Sequence, residues 1–266
     1  MLEARAPYLL DETADFAVVF KPPRMHCAPL RAGDDGTLLD WYAAIFPQVT
    51  KLCGRKKGEG GLLHRLDFET NGLVLFAKNQ KSLDCLLAQQ AEGNFAKEYS
   101  AICRKSVCDK TFPPPPVFCF PESDGLVRGG FVVESFFRPF GVGRKQVRPV
   151  VDAGCKRLMR REIARDQGGC YRTEIVGVSG QSLCEGDLPG RFGFAVRLRR
   201  GFRHQVRCHL AWLGYPILND PLYDCDNEPM DGILALRAGG LFFCDPESGR
   251  PLEYRIPALE LTANSM

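Results

Sequence analysis

The run Leu73-Val74-Leu75-Phe76-Ala77 is the strongest constraint on how this chain can fold. Five apolar residues bounded by turn residues on one side and Lys78 on the other read as a buried strand. The nine residues before it read as a loop that this strand anchors, His64-Arg65-Leu66-Asp67-Phe68-Glu69-Thr70-Asn71-Gly72 leading into Leu73. Gly72 supplies the φ > 0 geometry of a sharp turn, and Thr70 and Asn71 are able to hydrogen-bond back to local backbone. Asp67 therefore sits on a firmly held loop beside Arg65, and a nearby cation favours an ionised carboxylate. That suits a nucleophile or a base. The same Arg-x-Asp spacing also suits a structural salt bridge.

Other segments place this strand in a mixed sheet. Phe16–Phe20 reads as a strand stopped by Lys21-Pro22-Pro23. Thr37–Phe46 reads as a helix, with Asp35 or Thr37 at its N-cap and Pro47 ending it. Ser82–Ala91 is a second helix, with Leu83, Leu86 and Leu87 on one face and Gly93 past its end. Lys97–Cys103, Phe131–Phe137, Tyr171–Val178, Phe194–Leu198, Ile233–Leu236, Leu241–Cys244 and Leu252–Ile256 read as strands. Residues 104–130 are Pro-rich and irregular, since Pro113–Pro116 cannot join a central strand. Strands with few helices and no regular alternation predict an α+β fold, a mixed sheet rather than a doubly wound one. With 266 residues and neither a repeat nor a linker, the expectation is a single catalytic domain over 10–260.

Composition excludes several classes. No window approaches the ~18 apolar residues of a membrane span, and the N-terminus carries no secretory pattern. Twelve cysteines are scattered, with no Cys-x-x-Cys pair and no His at zinc spacing. Reduced thiols, no metal and a cytoplasmic location are expected. The net charge is only +3, but it is segregated. Residues 138–165 carry nine Arg or Lys against Asp152 and Glu162, and Arg197, Arg199, Arg200, Arg203 and Arg207 follow with no acid between them. Such stretches attract phosphate backbones, although solvated charged faces have the same composition.

A second stretch carries further candidates, Gly201-Phe202-Arg203-His204-Gln205-Val206-Arg207-Cys208-His209-Leu210-Ala211-Trp212-Leu213-Gly214. Read as a helix over Arg203–Leu213, it puts Val206, Leu210 and Leu213 on one face and Arg203 and Arg207 at i, i+4 on another. Those guanidiniums could pair a carboxylate and phosphates, or simply face water. Tyr99, in Lys97-Glu98-Tyr99-Ser100-Ala101, reads by itself as sheet packing.

Taken together, these segments resemble the RluA family of RNA pseudouridine synthases. His64-Arg65-Leu66-Asp67 with Thr70-Asn71-Gly72-Leu73 is similar to the family's signature loop, with Asn71 in place of Ser. Gly201–Leu210 with Gly214-Tyr215-Pro216-Ile217 and Asp220 resembles its Gly-Arg-x-His-Gln-Ile-Arg-x-His-Leu and Gly-x-Pro-Ile-x-x-Asp motifs. Phe202 stands where the family has Arg, and Arg203 follows it. Lys97-Glu98-Tyr99-Ser100-Ala101 and Lys21-Pro22-Pro23 with His26 match further family segments, the latter with Arg24 for Gly. The resemblance runs from about residue 10 to 257 and implies a pseudouridine synthase catalytic fold, a largely antiparallel sheet flanked by helices. It implies Asp67 as the catalytic residue, Arg207 as its paired cation and Tyr99 against the target uracil. His64, Arg65, Phe202, Arg203 and His204 are the substrate-binding candidates. Arg65 would fill the gap left by a flipped-out base, and Phe202 could stack on a base or Arg203 replace the missing cation. The expected substrate is structured RNA, ribosomal or transfer, with no cofactor, no separate N-terminal RNA-binding domain, no obligate protein partner and a monomeric state. A non-catalytic RNA-binding protein and an N-glycosidic hydrolase share parts of this pattern.

Overall fold

A computed structural model of the chain describes residues 6–31, 33–106, 111–117, 130–151, 170–181, 190–224 and 232–259. In chain order the strands are β1 (Tyr8–Glu12), β2 (Phe16–Lys21), β3 (Asn71–Ala77), β4 (Ala96–Arg104), β5 (Phe131–Phe140), β6 (Gln146–Val150), β7 (Tyr171–Gln181), β8 (Arg191–Leu198), β9 (Leu236–Cys244) and β10 (Pro251–Arg255). The α-helices described are α1 (Leu38–Ile45), α2 (Gln80–Glu92) and α3 (Gln205–Trp212). The chain divides into two compact units, one reaching to Glu98 and including Arg237–Ala258, the other containing Tyr99–Leu236.

In the first unit β3 is wholly buried and pairs antiparallel with β2, also wholly buried, while β2 pairs with β1. On its other edge β3 meets β9 in parallel, Asn71 opposite Arg237 and Gly72 opposite Ala238, and β10 completes a hairpin with β9. Helix α2 starts where the Asn79 side chain accepts the Ser82 N–H and ends at Gly93 in the left-handed region. It lays Leu83 and Leu86 on the sheet against Phe16, Leu73, Leu75 and Phe95. Each such burial is worth roughly 1.5–3 kcal/mol. Of the two expected caps, Asp35 and Thr37, it is Thr37 that forms a reciprocal capping box with Asp40 at the start of α1.

The second unit contains the β7 hairpins, with β7 antiparallel to both β5 and β8, and β6 antiparallel to β5. The parallel β3–β9 pair beside the antiparallel pairs named above gives the mixed pairing that the strand pattern predicts and the largely antiparallel character that the resemblance implies. Strand β6 lies inside the stretch read above as a basic surface: Arg148 and Pro149 mask its pattern, and as an edge strand it tolerates the proline. Arg148 is buried, its guanidinium 4.3 Å from both the Phe112 and Phe140 rings. The basic residues 156, 157, 160, 161 and 165 lie outside the described residues. The segments Ile233–Leu236 and Leu241–Cys244, read as separate strands, are corrected to one strand beginning at Leu236. The second of the intervening glycines is a close-approach point: a Cβ on Gly240 would meet the Cβ of Glu98 at 3.1 Å.

Gly72 shows the same effect at its sharpest. Its φ is +133°, and a Cβ there would fall 2.2 Å from the Ala238 carbonyl oxygen of β9. Gly72→Ala is expected to lose at least the ~1–3 kcal/mol of the backbone conformation, plus the cost of parting two strands, read as a lower midpoint in urea. An unchanged midpoint would show that β9 does not lie against this position.

Candidate active site

Asp67 is held from both flanks by the segment that follows β2. Lys21, the last residue of β2, is fully buried, and its Nζ donates to the carbonyls of Pro22 at 2.8 Å, Met25 at 2.9 Å and Phe68 at 3.3 Å. The Met25 N–H joins it on the Phe68 carbonyl. On the other flank the Leu66 N–H donates to Cys27 Sγ at 3.2 Å, and that thiol lies 3.5 Å from the Leu66 carbonyl. The loop closes on itself where the Thr70 N–H donates to the Asp67 carbonyl. Asn71, expected to bond locally, instead accepts from Arg237 Nε at 2.8 Å, tying the loop to β9.

The cation adjacent in sequence is not the one that this geometry puts to use. Arg65 forms its ion pair with Glu59 at 3.2 Å, with half its side chain exposed. The Asp67 charge acts instead on two buried ammoniums, Lys21 and Lys97. Burial pulls Lys21 down to about 8, opposed by the charges of Cys27, Asp67 and Glu69. Burial also pulls Lys97 down to about 8, opposed by Asp67 and then Cys27. His64 stays neutral, since burial and then the Lys97 charge push it well below its ordinary value. Its Nε2 accepts the Leu75 N–H at 3.3 Å, which makes it a fastener between the loop and β3.

The remaining candidates lie in the second unit. Tyr99 is buried on β4. Helix α3 begins at Gln205, two residues later than the expected Arg203, because His204 takes a left-handed φ of 56° at the N-cap. Arg203 and Arg207 therefore do not share an exposed face. Arg207 is buried and forks onto Asp220, with Nε to Oδ2 and Nη2 to Oδ1 both 2.8 Å, side chains 2% and 0% exposed. Arg203 remains at the surface, where its Nη2 donates to the carbonyls of Arg144 at 2.7 Å and Gln146 at 3.1 Å. Phe202 lies stacked on Phe137, centroids 5.0 Å apart and planes 5° apart, with Tyr171 at 4.9 Å. His204 Nδ1 is 3.2 Å from the Tyr223 hydroxyl.

Sequence reasoning passed over Lys21, Lys97, Cys27, Asp220 and Arg237. The available signal was modest: a lysine closing an otherwise apolar strand, another two residues before Tyr99, and the aspartate ending a matched motif. The chemistry the groups offer is a carboxylate among buried cations in one unit, and a tyrosine and a fixed guanidinium in the other. Among the described residues no cluster of His, Cys, Asp and Glu could hold a metal, and no helix is long and apolar enough to cross a membrane.

Residues 15–212 match the sequence model of the family described as RNA pseudouridylate synthase. The chain is 25% identical over 219 residues to a protein of Buchnera aphidicola subsp. Schizaphis graminum named ribosomal large subunit pseudouridine synthase D, covering 80% of this chain and 52% of that one. It is 26% identical over 212 residues to the protein of the same name from Pseudomonas aeruginosa, again 80% of this chain and 52% of the relative. It thus spans about half the length of these curated relatives. The solved structure of human RNA pseudouridylate synthase domain containing 1 superposes with a TM-score of 0.64 at 19% identity, covering 95% of this chain and 83% of that one. That likeness shows the fold.

The lysine clasp predicts a pH effect with a definite sign. Between about 8 and 10.5 the unfolded chain keeps the Lys21 proton while the folded chain has released it, so raising the pH through this window favours folding. Below the window the buried ammonium opposes folding. The difference in unfolding free energy between wild type and Lys21→Met should move toward wild type by up to about 1.4 kcal/mol per pH unit there. A difference independent of pH would show that Lys21 titrates as an ordinary surface lysine.

Proposed function

The chain belongs to the RNA pseudouridylate synthase family, and we propose that it isomerises a uridine in structured RNA to pseudouridine. The observation that carries this reading is the placement of Asp67, the carboxylate of the matched loop, clasped by Lys21 and Cys27. The reaction breaks the N1–C1′ bond, turns the uracil and joins C5 to C1′, and the C5 proton ends on N1 or solvent. Atoms and electrons balance within the nucleoside, so no cofactor is called for. Asp67 acts on the ribose, as nucleophile at C1′ or as base at C2′. Arg207 is the cation of the matched motif, and Tyr99 lies against the uracil and accepts the C5 proton late in the reaction. The uridine is flipped out of its stack to reach these groups, Arg65 filling the space it leaves.

The RNA proposed first for testing is ribosomal, because the relatives from Buchnera and Pseudomonas are named for the large ribosomal subunit. Transfer RNA is the second choice. The protein acts as a monomer in the cytoplasm. Phe202, Arg203 and His204 serve the RNA side of the site by fixing the entry to α3, a smaller role than direct stacking or phosphate contact.

Asp67→Asn keeps the shape of the loop but can neither attack nor deprotonate. It should abolish pseudouridine formation on RNA from cells lacking the gene, with RNA affinity within a few-fold of wild type. Appreciable turnover by this variant would remove Asp67 from the mechanism. Release of free uracil by the wild type would identify a hydrolase, and binding with no modified nucleoside on any RNA tested would identify a binding protein. Arg207→Leu should lose turnover and also lower the melting temperature, since stranding the buried Asp220 carboxylate costs about 3–5 kcal/mol.

A further inference from the structure

Among the described polar groups that the proposed reaction does not use is Asp220, which has several partners. It is fully buried, and its two oxygens receive four N–H groups. Two come from the Arg207 fork and two from the main chain, Leu222 at 2.9 Å and Tyr223 at 3.2 Å, both on Oδ1. A carboxylate offers about four lone-pair sites, two on each oxygen, so Oδ1 with its three donors is fully engaged while Oδ2 takes the Arg207 Nε–H. The Tyr223 ring lies 5.5 Å from the Arg207 guanidinium carbon, adding an aromatic face to the plane that the fork defines.

The backbone carrying Asp220 is itself fixed by the strand that carries Tyr99. Ile217 bridges to Cys103, and the Leu218 N–H donates to the Ile102 carbonyl at 2.9 Å, both partners lying on β4 just beyond Tyr99. Asn219 then turns the chain through a left-handed φ of 60°, and its Nδ2 donates to the Ile233 carbonyl at 3.0 Å. A continuous series of short contacts thus runs from the Tyr99 strand through residues 217–220 to the guanidinium of α3.

We propose that Asp220 is a positioning residue, which sets the plane and rotamer of the Arg207 guanidinium relative to Tyr99. This rests on the reading of Tyr99 and Arg207 as residues of a pseudouridine-forming site. Charge and shape both matter at this position. An asparagine would have to turn its NH2 either toward the Nε–H of Arg207 or toward the N–H groups of Leu222 and Tyr223, setting donor against donor. The guanidinium would swing away from its plane while the helix remained.

The test compares Asp220→Asn with Asp224→Asn under single-turnover conditions on the RNA that wild type modifies. Asp224 is a second buried acid on the same loop, but it forks onto Arg104 rather than Arg207. Asp220→Asn should lower the rate on the order of 10²-fold, the scale of a small misplacement of a reacting group, with RNA dissociation constants within a few-fold. Asp224→Asn should leave the rate within a few-fold at a comparable loss of melting temperature. Equal rate losses in the two variants, or a wild-type rate in Asp220→Asn, would overturn the proposal. Should Asp220→Asn fail to fold, Asp220→Glu keeps the charge and displaces it by one methylene; a loss of rate with retained affinity supports the proposal, and a wild-type rate overturns it. A wild type that forms no pseudouridine on any RNA would instead overturn the reading of the site itself.

Discussion

The ammonium of Lys21 has been taken wholly out of water, and the first unit is arranged around the three carbonyls that receive it. Placing a charge in the interior is costly unless donors and acceptors meet at fixed distances, so the backbone of residues 22, 25 and 68 has little freedom to move. Residue 68 follows Asp67. The same short segment supplies Cys27 to residue 66, and between them the two side chains hold the carboxylate's loop from either side. Asp67 is bracketed by two anchored neighbours in the chain.

The second unit inverts the arrangement, burying acids to hold arginines. Asp220 takes Arg207 and Asp224 takes Arg104, while Arg148 lies among the rings of Phe112 and Phe140. Arg200 lies 4.7 Å from the Tyr171 ring. Much of the positive charge counted along 138–148 and 197–207 is therefore engaged in internal architecture. Net charge per stretch overstates the surface left for phosphates wherever guanidiniums have partners within the fold.

The strands that are apolar throughout were legible, because a run such as Leu73–Ala77 has few other places to go. The caps were legible too, since Thr37 and Gly93 act through bonds to residues a turn away. What escaped was set by distant partners. Nothing near Lys21 announces the Phe68 carbonyl, and nothing near Arg207 announces that its fork will close on Asp220 rather than stay in solvent. Gly239 and Gly240 read as a break in β9 because the pattern shows missing side chains and not the Glu98 and Phe242 side chains that crowd Gly240. Motif matching singled out Asp67, Tyr99 and Arg207 as candidates. The groups that hold them in place came only from the fold.

The hold that Arg203 keeps on the β5–β6 hairpin is of a different kind. It grips the carbonyls of residues 144 and 146, which every amino acid carries, and makes no demand on the side chains at the hairpin tip. The tip, with Val142 almost fully in solvent, can therefore exchange side chains at positions other than the left-handed Gly141 and Gly143 without loosening from Arg203. A molecular surface of this sort is open to drift: its scaffold is inherited through the main chain, while its vocabulary of side chains is left to be rewritten as the molecules it meets change.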